Sequence, residues 1–292
     1  MKIKGKREIP FVKMQGIGND YIYIDTINRE TPDYLEESFI PELSRKISDR
    51  HFGVGTDGLI LILPSDHADF RMRIFNADGS EAKMCGNGVR CVAKYVKDRG
   101  LTDKEVITVQ TESGVKTLRL FSDESGVKDV EVDMGNPYFK RGEIPATGPS
   151  EETMDDQILV ADGREFKVTG IGMGNPHGVI YVDNVDSLDL PKIGPGLENS
   201  PVWPDRANIE FVEVKSPSEI KVRVWERGSG ETWACGTGAC AAAVASFKKG
   251  KTNPEVTVAL RGGKLRIKFD TEANKVFMTG GAEFVAEGKF YL

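Results

Sequence analysis

Cysteine and histidine are scarce in this chain, with four of the one and three of the other in 292 residues. Four cysteines are too few for a disulfide framework, and a reducing compartment would keep them as thiols. Three histidines supply little for imidazole metal sites, and the C-x5-C and C-x4-C spacings around Cys85 and Cys235 are poor matches to short zinc motifs, so no metal is expected. An excess of positive charge is also missing. Lys plus Arg number 39 against 45 Asp plus Glu, a net charge of −6, which argues against a nucleic-acid partner because phosphate contacts need clustered cations. The longest apolar runs, such as LILIL at 59–63, fall far short of the ~20 residues of a membrane span. The N-terminal MKIKGKREIPF lacks the apolar stretch of a secretory signal. A cytoplasmic protein with no membrane partner is expected. Two apparent nucleotide motifs fail as well: GVGTDG at 53–58 is followed by strand-like residues where a dinucleotide fold needs a helix, and Gly250-Lys251-Thr252 has Ala245 where a P-loop needs glycine.

The composition, 39% hydrophobic and 29% charged, is that of a globular chain long enough for two domains. Segments of alternating apolar and polar residues recur from 11–15 and 21–25 through 71–75, 106–110, 115–120, 130–133, 179–183, 209–214, 220–225, 256–260 and 265–269 to 276–278, and predict many short strands. Helical signals are fewer, at 38–49, 88–99 and 238–249; the last two open on glycine turns and end in basic residues that suit a helix C-terminus.

An internal repeat organises the chain. NADGSEAKMCGNGVRCVAK at 76–94 parallels ERGSGETWACGTGACAAAV at 226–244, with Cys-Gly-X-Gly cores at Cys85 and Cys235, 150 residues apart. GIGND at 16–20 and GMGNP at 172–176 form a second pair, and Asp49-Arg50 with Asp205-Arg206 a third, both offset by 156. The period is far above that of solenoids. It predicts an α/β (α+β) fold of two homologous domains related by a pseudo-twofold axis, each a strand-rich mixed sheet or barrel around a central helix, with the active site in the cleft between them. The expected boundaries are 1–133, completed by a strand at 280–292, and 134–279.

Each repeat thus places one cysteine directly before a glycine turn and a helix. Free N–H groups and the macrodipole at a helix N-terminus favour negative charge, so both thiols are expected to be acidified, and the same N–H groups can hold a carboxylate. Two such termini facing one substrate would put a sulfur on each side of the carbon beside that carboxylate. This is the geometry of two-base inversion, in which a thiolate removes a proton from one face and a thiol delivers one to the other. Cys91 and Cys240, inside the expected helices, read as small buried apolar residues. His51 and His67 read as surface or loop residues, and the asparagines at 76, 175 and 208 could each merely stabilise a turn.

The segments MQGIGNDYIYID, FNADGSEAKMCGNGVRC, GMGNPHGV, ANIEFVEV and WERGSGETWACGTGACA, in this order over nearly the whole chain, resemble the diaminopimelate epimerase family. The resemblance implies an isomerase that interconverts LL- and meso-2,6-diaminopimelate without a cofactor, in lysine and peptidoglycan-precursor biosynthesis, and a homodimer. It makes Cys85 and Cys235 the acid/base pair. Gly86, Asn87, Gly236 and Thr237 would offer amides to the reacting carboxylate. Asn19, Asn76, Asn175 and Asn208, with Glu226 and Arg227, would line the substrate, and His177 and Glu226 would tune the thiols. Gly58 stands where some relatives carry a substrate-contacting Gln, and Ala286 where some place a Tyr at the dimer contact. Rival readings are a proline or hydroxyproline racemase, an isomerase related to phenazine biosynthesis, and a non-catalytic thiol redox or metal-binding module.

Overall fold

The computed structural model describes residues 7–27 and 35–292; the first six residues, part of the segment read above as lacking a secretory signal, lie outside them. Among the described residues no helix is long and apolar enough to cross a membrane. The chain divides into two units, Met1–Val132 with Gly280–Leu292, and Asp133–Thr279.

The first unit runs β1 (Glu8–Gly16), β2 (Asn19–Asp25), α1 (Ile40–Ser48), β3 (Gly58–Leu63), β4 (Phe70–Asn76), β5 (Glu81–Ala82), α2 (Gly86–Asp98), β6 (Val106–Thr111), β7 (Gly114–Asp123) and β8 (Gly126–Gly135). Its sheet places the closing strand Glu283–Tyr291 beside β1, followed by β2, β3, β4, β6, β7 and β8. Pairing is antiparallel except at β2/β3 and β4/β6, with β5 a short antiparallel spur on β4. The two parallel joints are the places where a helix intervenes in sequence, because a parallel pair needs a crossover. One crossover helix, α1, packs Ile40, Leu43 and Ile47 onto Ile22, Leu59 and Phe75.

The other crossover helix, α2, is enclosed. Val89 to Lys94 and Val96 are buried, including two cations. Arg90 and Lys94 can be inside because backbone carbonyls accept their hydrogen bonds: Arg90 donates to Gly86 O and Gly281 O, and Lys94 to Val127 O while pairing with Asp98 at 2.9 Å. A helix buried on all sides is the centre of its unit rather than a surface element.

The second unit repeats this plan: β9 (Gln157–Ala161), β10 (Arg164–Gly172), β11 (Pro176–Tyr181), α3 (Leu190–Glu198), β12 (Asn208–Ser216), β13 (Glu219–Glu226), β14 (Gly230–Thr232), α4 (Gly236–Lys248), β15 (Glu255–Leu260), β16 (Gly263–Asp270) and β17 (Lys275–Gly281). The sheet order is β9, β10, β11, β12, β13, β15, β16, β17, again parallel only at β11/β12 and β13/β15. Glu283–Tyr291, the last strand, is β18. It lies beside β1 as β9 lies beside β10, so each unit is a strand-rich mixed sheet with a central helix. α4 reaches the same enclosure by small side chains, since Ala239 through Ser246 are all buried and five of them are alanine.

Two helices begin earlier than their sequence signals, α2 at Gly86 and α4 at Gly236, because the cysteines act as caps and the glycine pairs lie inside the first turn. α3 carries Pro191, Gly194, Pro195 and Gly196 and has no sequence signal of a helix. Pro191 falls where no backbone N–H is needed. Gly194 lies flat against Trp225, whose ring atoms would stand 2.3 to 2.8 Å from any Cβ placed there.

Candidate active site

The turn joining β1 to β2 has two residues, Ile17 at φ 49° and Gly18 at φ 87°, the left-handed pair of a tight hairpin. It delivers Asn19 at the start of β2. Asn19 Nδ2 donates to Asp57 Oδ2 at 2.7 Å, which leaves Asn19 Oδ1 to accept from the Cys85 thiol at 3.2 Å and from Asn87 Nδ2 at 3.5 Å. Cys85 is half-buried and caps α2 through its sulfur, which accepts from Gly88 N at 3.3 Å. Asn87 is fixed from behind by Arg90, whose Nη1 donates to Asn87 Oδ1 at 3.0 Å. The Tyr21 hydroxyl also hydrogen-bonds the Cys85 sulfur, and burial first, then that sulfur and Asp57, push the phenol well above its ordinary pKa. Burial raises Asp57 too. Cys85, Gly86, Asn87 and Asn19 therefore form one group. Asn76 closes β4, its Nδ2 donating to Ser80 Oγ at 3.0 Å and its backbone paired with Gly58. A Cβ on Gly58 would lie 2.2 Å from Phe75 O, so this backbone has no space for a Gln side chain.

In the second unit the Cys235 sulfur caps α4 in the same way, accepting from Gly238 N at 3.3 Å with Thr237 Oγ1 at 3.6 Å. Its surroundings differ. The thiol is only 6% exposed and hydrogen-bonds to the Glu226 carboxylate, which also accepts from Thr232 Oγ1. Burial holds this carboxyl above its ordinary pKa. The fully buried His177 places Nδ1 2.7 Å from Glu210 Oε1 and Nε2 2.8 Å from Asn175 Oδ1. Asn208 Nδ2 donates to Pro176 O, and Asn208 Oδ1 accepts from Arg227 N at 3.0 Å. The Arg227 guanidinium is exposed and donates to Asp205 O.

One expectation is corrected here. A helix N-terminus lowers a thiol pKa, yet the Cys235 thiol stands well above its ordinary value. Desolvation disfavours the thiolate, and the carboxylates of Glu226 and then Glu210 repel it, and together these outweigh the helix amides. Three further residues at the sulfurs were not singled out in the sequence: Tyr21, Asp57 and Glu210. The first and last sit in motifs quoted above, Tyr21 two residues after Asn19 and Glu210 two after Asn208, and each follows its asparagine on the same strand face. His51 and His67 are exposed, and Cys91 and Cys240 are buried inside helices. Among the described residues no three His, Cys, Asp or Glu side chains cluster as metal ligands would.

The fold recurs in solved structures. A phenazine biosynthesis protein of the PhzF family from Bacillus anthracis superposes with a TM-score of 0.70 at 20% identity, covering 98% of this chain and 100% of that one. A hydroxyproline epimerase from Agrobacterium vitis gives 0.69 at 13%, covering 99% and 94%. These likenesses define the architectural class, the duplicated α/β fold of the epimerases and phenazine proteins. Sequence narrows it. The family model for diaminopimelate epimerase matches residues 11–140 and 169–285. Diaminopimelate epimerases from Desulfovibrio desulfuricans, Acetivibrio thermocellus and Methanococcus maripaludis are 51%, 52% and 48% identical to this chain. The alignments cover 96 to 97% of this chain and 97 to 98% of each relative. The chain belongs to the diaminopimelate epimerase family, a family of isomerases.

Proposed function

We propose that this chain interconverts LL- and meso-2,6-diaminopimelate, with Cys85 and Cys235 as the two acid/base groups. The observation that carries the reading is the equivalence of the two cysteines. Each caps the central helix of its unit, each sulfur accepts a glycine N–H at 3.3 Å, and each stands at the same point of the same strand order. A reaction that inverts one carbon needs two proton carriers, one per face, and a duplicated unit supplies one from each copy.

The proton accounting is simple. The thiolate takes the α-proton and becomes a thiol; the other thiol gives its proton to the opposite face of the carbanion and becomes a thiolate. Nothing is oxidised, and the two sulfurs have exchanged protonation states. The negative charge that develops on the substrate carboxylate is met by the amides of the first helical turns, at Gly86 and Asn87 and at Gly236 and Thr237. Asn19, Asn76, Asn175, Asn208, Glu226 and Arg227 hold the ammonium and carboxylate groups of the substrate: Glu226 and the asparagine oxygens accept from ammonium, and Arg227 donates to the distal carboxylate after its guanidinium leaves Asp205 O. His177 and Glu226 tune the thiols. No step calls on a cofactor.

Two peripheral readings go with this one. The thiol chemistry suits the reducing cytoplasm. Pairing as a homodimer is supported by β18, which among the described residues pairs only with β1 in its unit and exposes Phe284 and Val285.

The experiment is incubation of the protein with LL-diaminopimelate in D2O, without added cofactor, followed by chiral analysis. Meso product carrying one α-deuterium is expected. Absence of inversion, or a requirement for pyridoxal phosphate, overturns the reading.

A further inference from the structure

Matched positions beneath the two cysteine-capped helices carry opposite chemistry. In β3 and β12, Ile60 and Glu210 stand 150 residues apart, the offset of the cysteines themselves. A Cβ placed on Gly88 of α2 would meet Ile60 Cδ1 at 2.6 Å; one placed on Gly238 of α4 would meet Glu210 Oε1 at 2.7 Å. The same point lies 3.7 Å from the Cys85 sulfur in the first unit and 3.2 Å from the Cys235 sulfur in the second. A methyl group in one unit is thus replaced by a carboxylate oxygen in the other, each close to a sulfur.

The remaining neighbours sharpen the contrast. The ionisable and charged groups facing Cys235 are Glu226 from β13, Glu210 from β12 and, beside them, His177 from β11. Among the groups that interact with Cys85 are Arg90 and Cys91 from α2 and Tyr21 and Tyr23 from β2, with Asp57, from the loop before β3, acting on Tyr21 and bonded to Asn19. Cys235 faces two carboxylates, whereas Cys85 shares its helix with a fully buried guanidinium.

Glu210 is 0% exposed. One of its oxygens is engaged by His177 Nδ1, and the other has no hydrogen-bond partner. Its charge is therefore only partly compensated, in a region of low dielectric where it is felt strongly. In either orientation of the Asn175 amide, the ring proton opposite an ionised Glu210 sits on Nδ1, so Glu210 also fixes how His177 presents itself.

We propose that Glu210 is a positioning residue that keeps the proton on Cys235 and makes Cys85 the easier of the two thiols to ionise, so that the two thiols of the proposed reaction are unequal; Cys85 gives up its hydrogen bond to Asn19 Oδ1 when it ionises. This rests on the two-thiol reading above. Turnover exchanges the two protonation states, and the exchanged form sets a Cys235 thiolate against Glu210 and Glu226. That form is the costly one, and the starting state is regained when Cys85 releases a proton to solvent and Cys235 takes one up. The upward displacement of the Cys235 thiol agrees with this arrangement.

The test is peptide-resolved alkylation by iodoacetamide from pH 6 to 10 on the full-length protein without substrate, with the pH midpoint read for each cysteine. In the wild-type protein Cys85 is expected to react at a lower pH than Cys235. In Glu210→Gln, which keeps the shape and the acceptor for His177, the Cys235 midpoint is expected to fall by about one pH unit, so that alkylation below both midpoints speeds about tenfold, with Cys85 unchanged. Glu210→Ile, copying Ile60, is expected to move Cys235 in the same direction. A wild-type Cys235 midpoint at or below that of Cys85 overturns the proposal whatever the variants do. An unmoved Cys235 in a folded variant, or equal shifts at both thiols, overturns it as well. Because alkylation needs no substrate, failure of the wild-type protein to invert diaminopimelate would sink the functional reading while leaving this comparison intact.

Discussion

The Tyr21 hydroxyl hydrogen-bonds the Cys85 sulfur from the position in the first unit that His177 holds in the second. Both side chains follow an asparagine by two residues at the start of a strand, but His177 engages Glu210 and Asn175 where Tyr21 engages the sulfur. A phenol can stabilise a neighbouring thiolate by donating to it without introducing a charge of its own.

Removing that donor is therefore expected to hurt Cys85 alone. A hydrogen bond to a charged group contributes about 1.5–3 kcal/mol, so Tyr21→Phe is expected to slow inversion by about ten- to a hundredfold. Its Cys85 alkylation midpoint should rise while that of Cys235 stays put. Unchanged turnover with an unchanged Cys85 profile would remove Tyr21 from the site.

Cys85→Ala and Cys235→Ala are each expected to abolish inversion, because the remaining sulfur can work on one face only. Solvent deuterium can still enter at that face. Chiral chromatography and mass analysis of substrate recovered from D2O separate the two processes, and substantial LL-to-meso turnover by either variant would refute the two-base assignment.

Gly88→Ala and Gly238→Ala are expected to differ although the positions match. The new methyl on α2 meets the movable end of Ile60, and the helix gains up to about 1 kcal/mol from alanine propensity. On α4 it meets Glu210 Oε1, which His177 holds in place. Overpacking there is expected to cost about 1–3 kcal/mol and to displace the Cys235 sulfur. Urea denaturation decides this, and equal losses in the two variants would show that Glu210 yields as easily as Ile60.

Cys91 offers a test at alkaline pH. Burial pushes its thiol from an ordinary value of 9.0 up to about 11. The folded chain keeps a proton that the unfolded chain loses, so the stability linked to this group is complete below pH 9 and is lost as pH rises toward 11. The loss is at most about 1.4 kcal/mol per pH unit. Cys91→Ala should lower stability at pH 8 and flatten its decline above pH 9, with the buried Cys235 contributing the slope that remains. Denaturation curves of parallel slope in both proteins would contradict the assignment.

Much of the strand pattern and both cysteine-capped helices were legible because their signals are local: alternation in strands such as β6 and β15, and a glycine turn opening α2 and α4. β9 and β10 were not. The former has only five residues, and the latter breaks its alternation at Gly170 and Gly172. α3 was hidden by its two prolines and two glycines, of which Gly194 is required by Trp225 in β13 and Gly196 by Ala161 in β9. The residues of the repeated motifs were visible, but Asp57 and Glu210 acquire their meaning only when β3 and β12 come to lie beside β2 and β11. The direction of the Cys235 displacement is illegible in the sequence for the same reason. The helix terminus that favours a thiolate is written in the motif, whereas the carboxylates that oppose it come from other strands.

The exchange of β18 for a local hairpin strand has a consequence for the order of synthesis. In the second unit β9 precedes β10 by a two-residue turn and can pair at once. In the first unit β1 waits for β18, which begins at Glu283, 275 residues after Glu8. At ribosomal rates of roughly 5 to 20 residues per second that delay is about 15 to 55 seconds, and throughout it one edge of β1 is a template open to any neighbouring nascent chain. The strand carries its own deterrents, with Pro10 lacking an amide hydrogen and Lys13 adding charge.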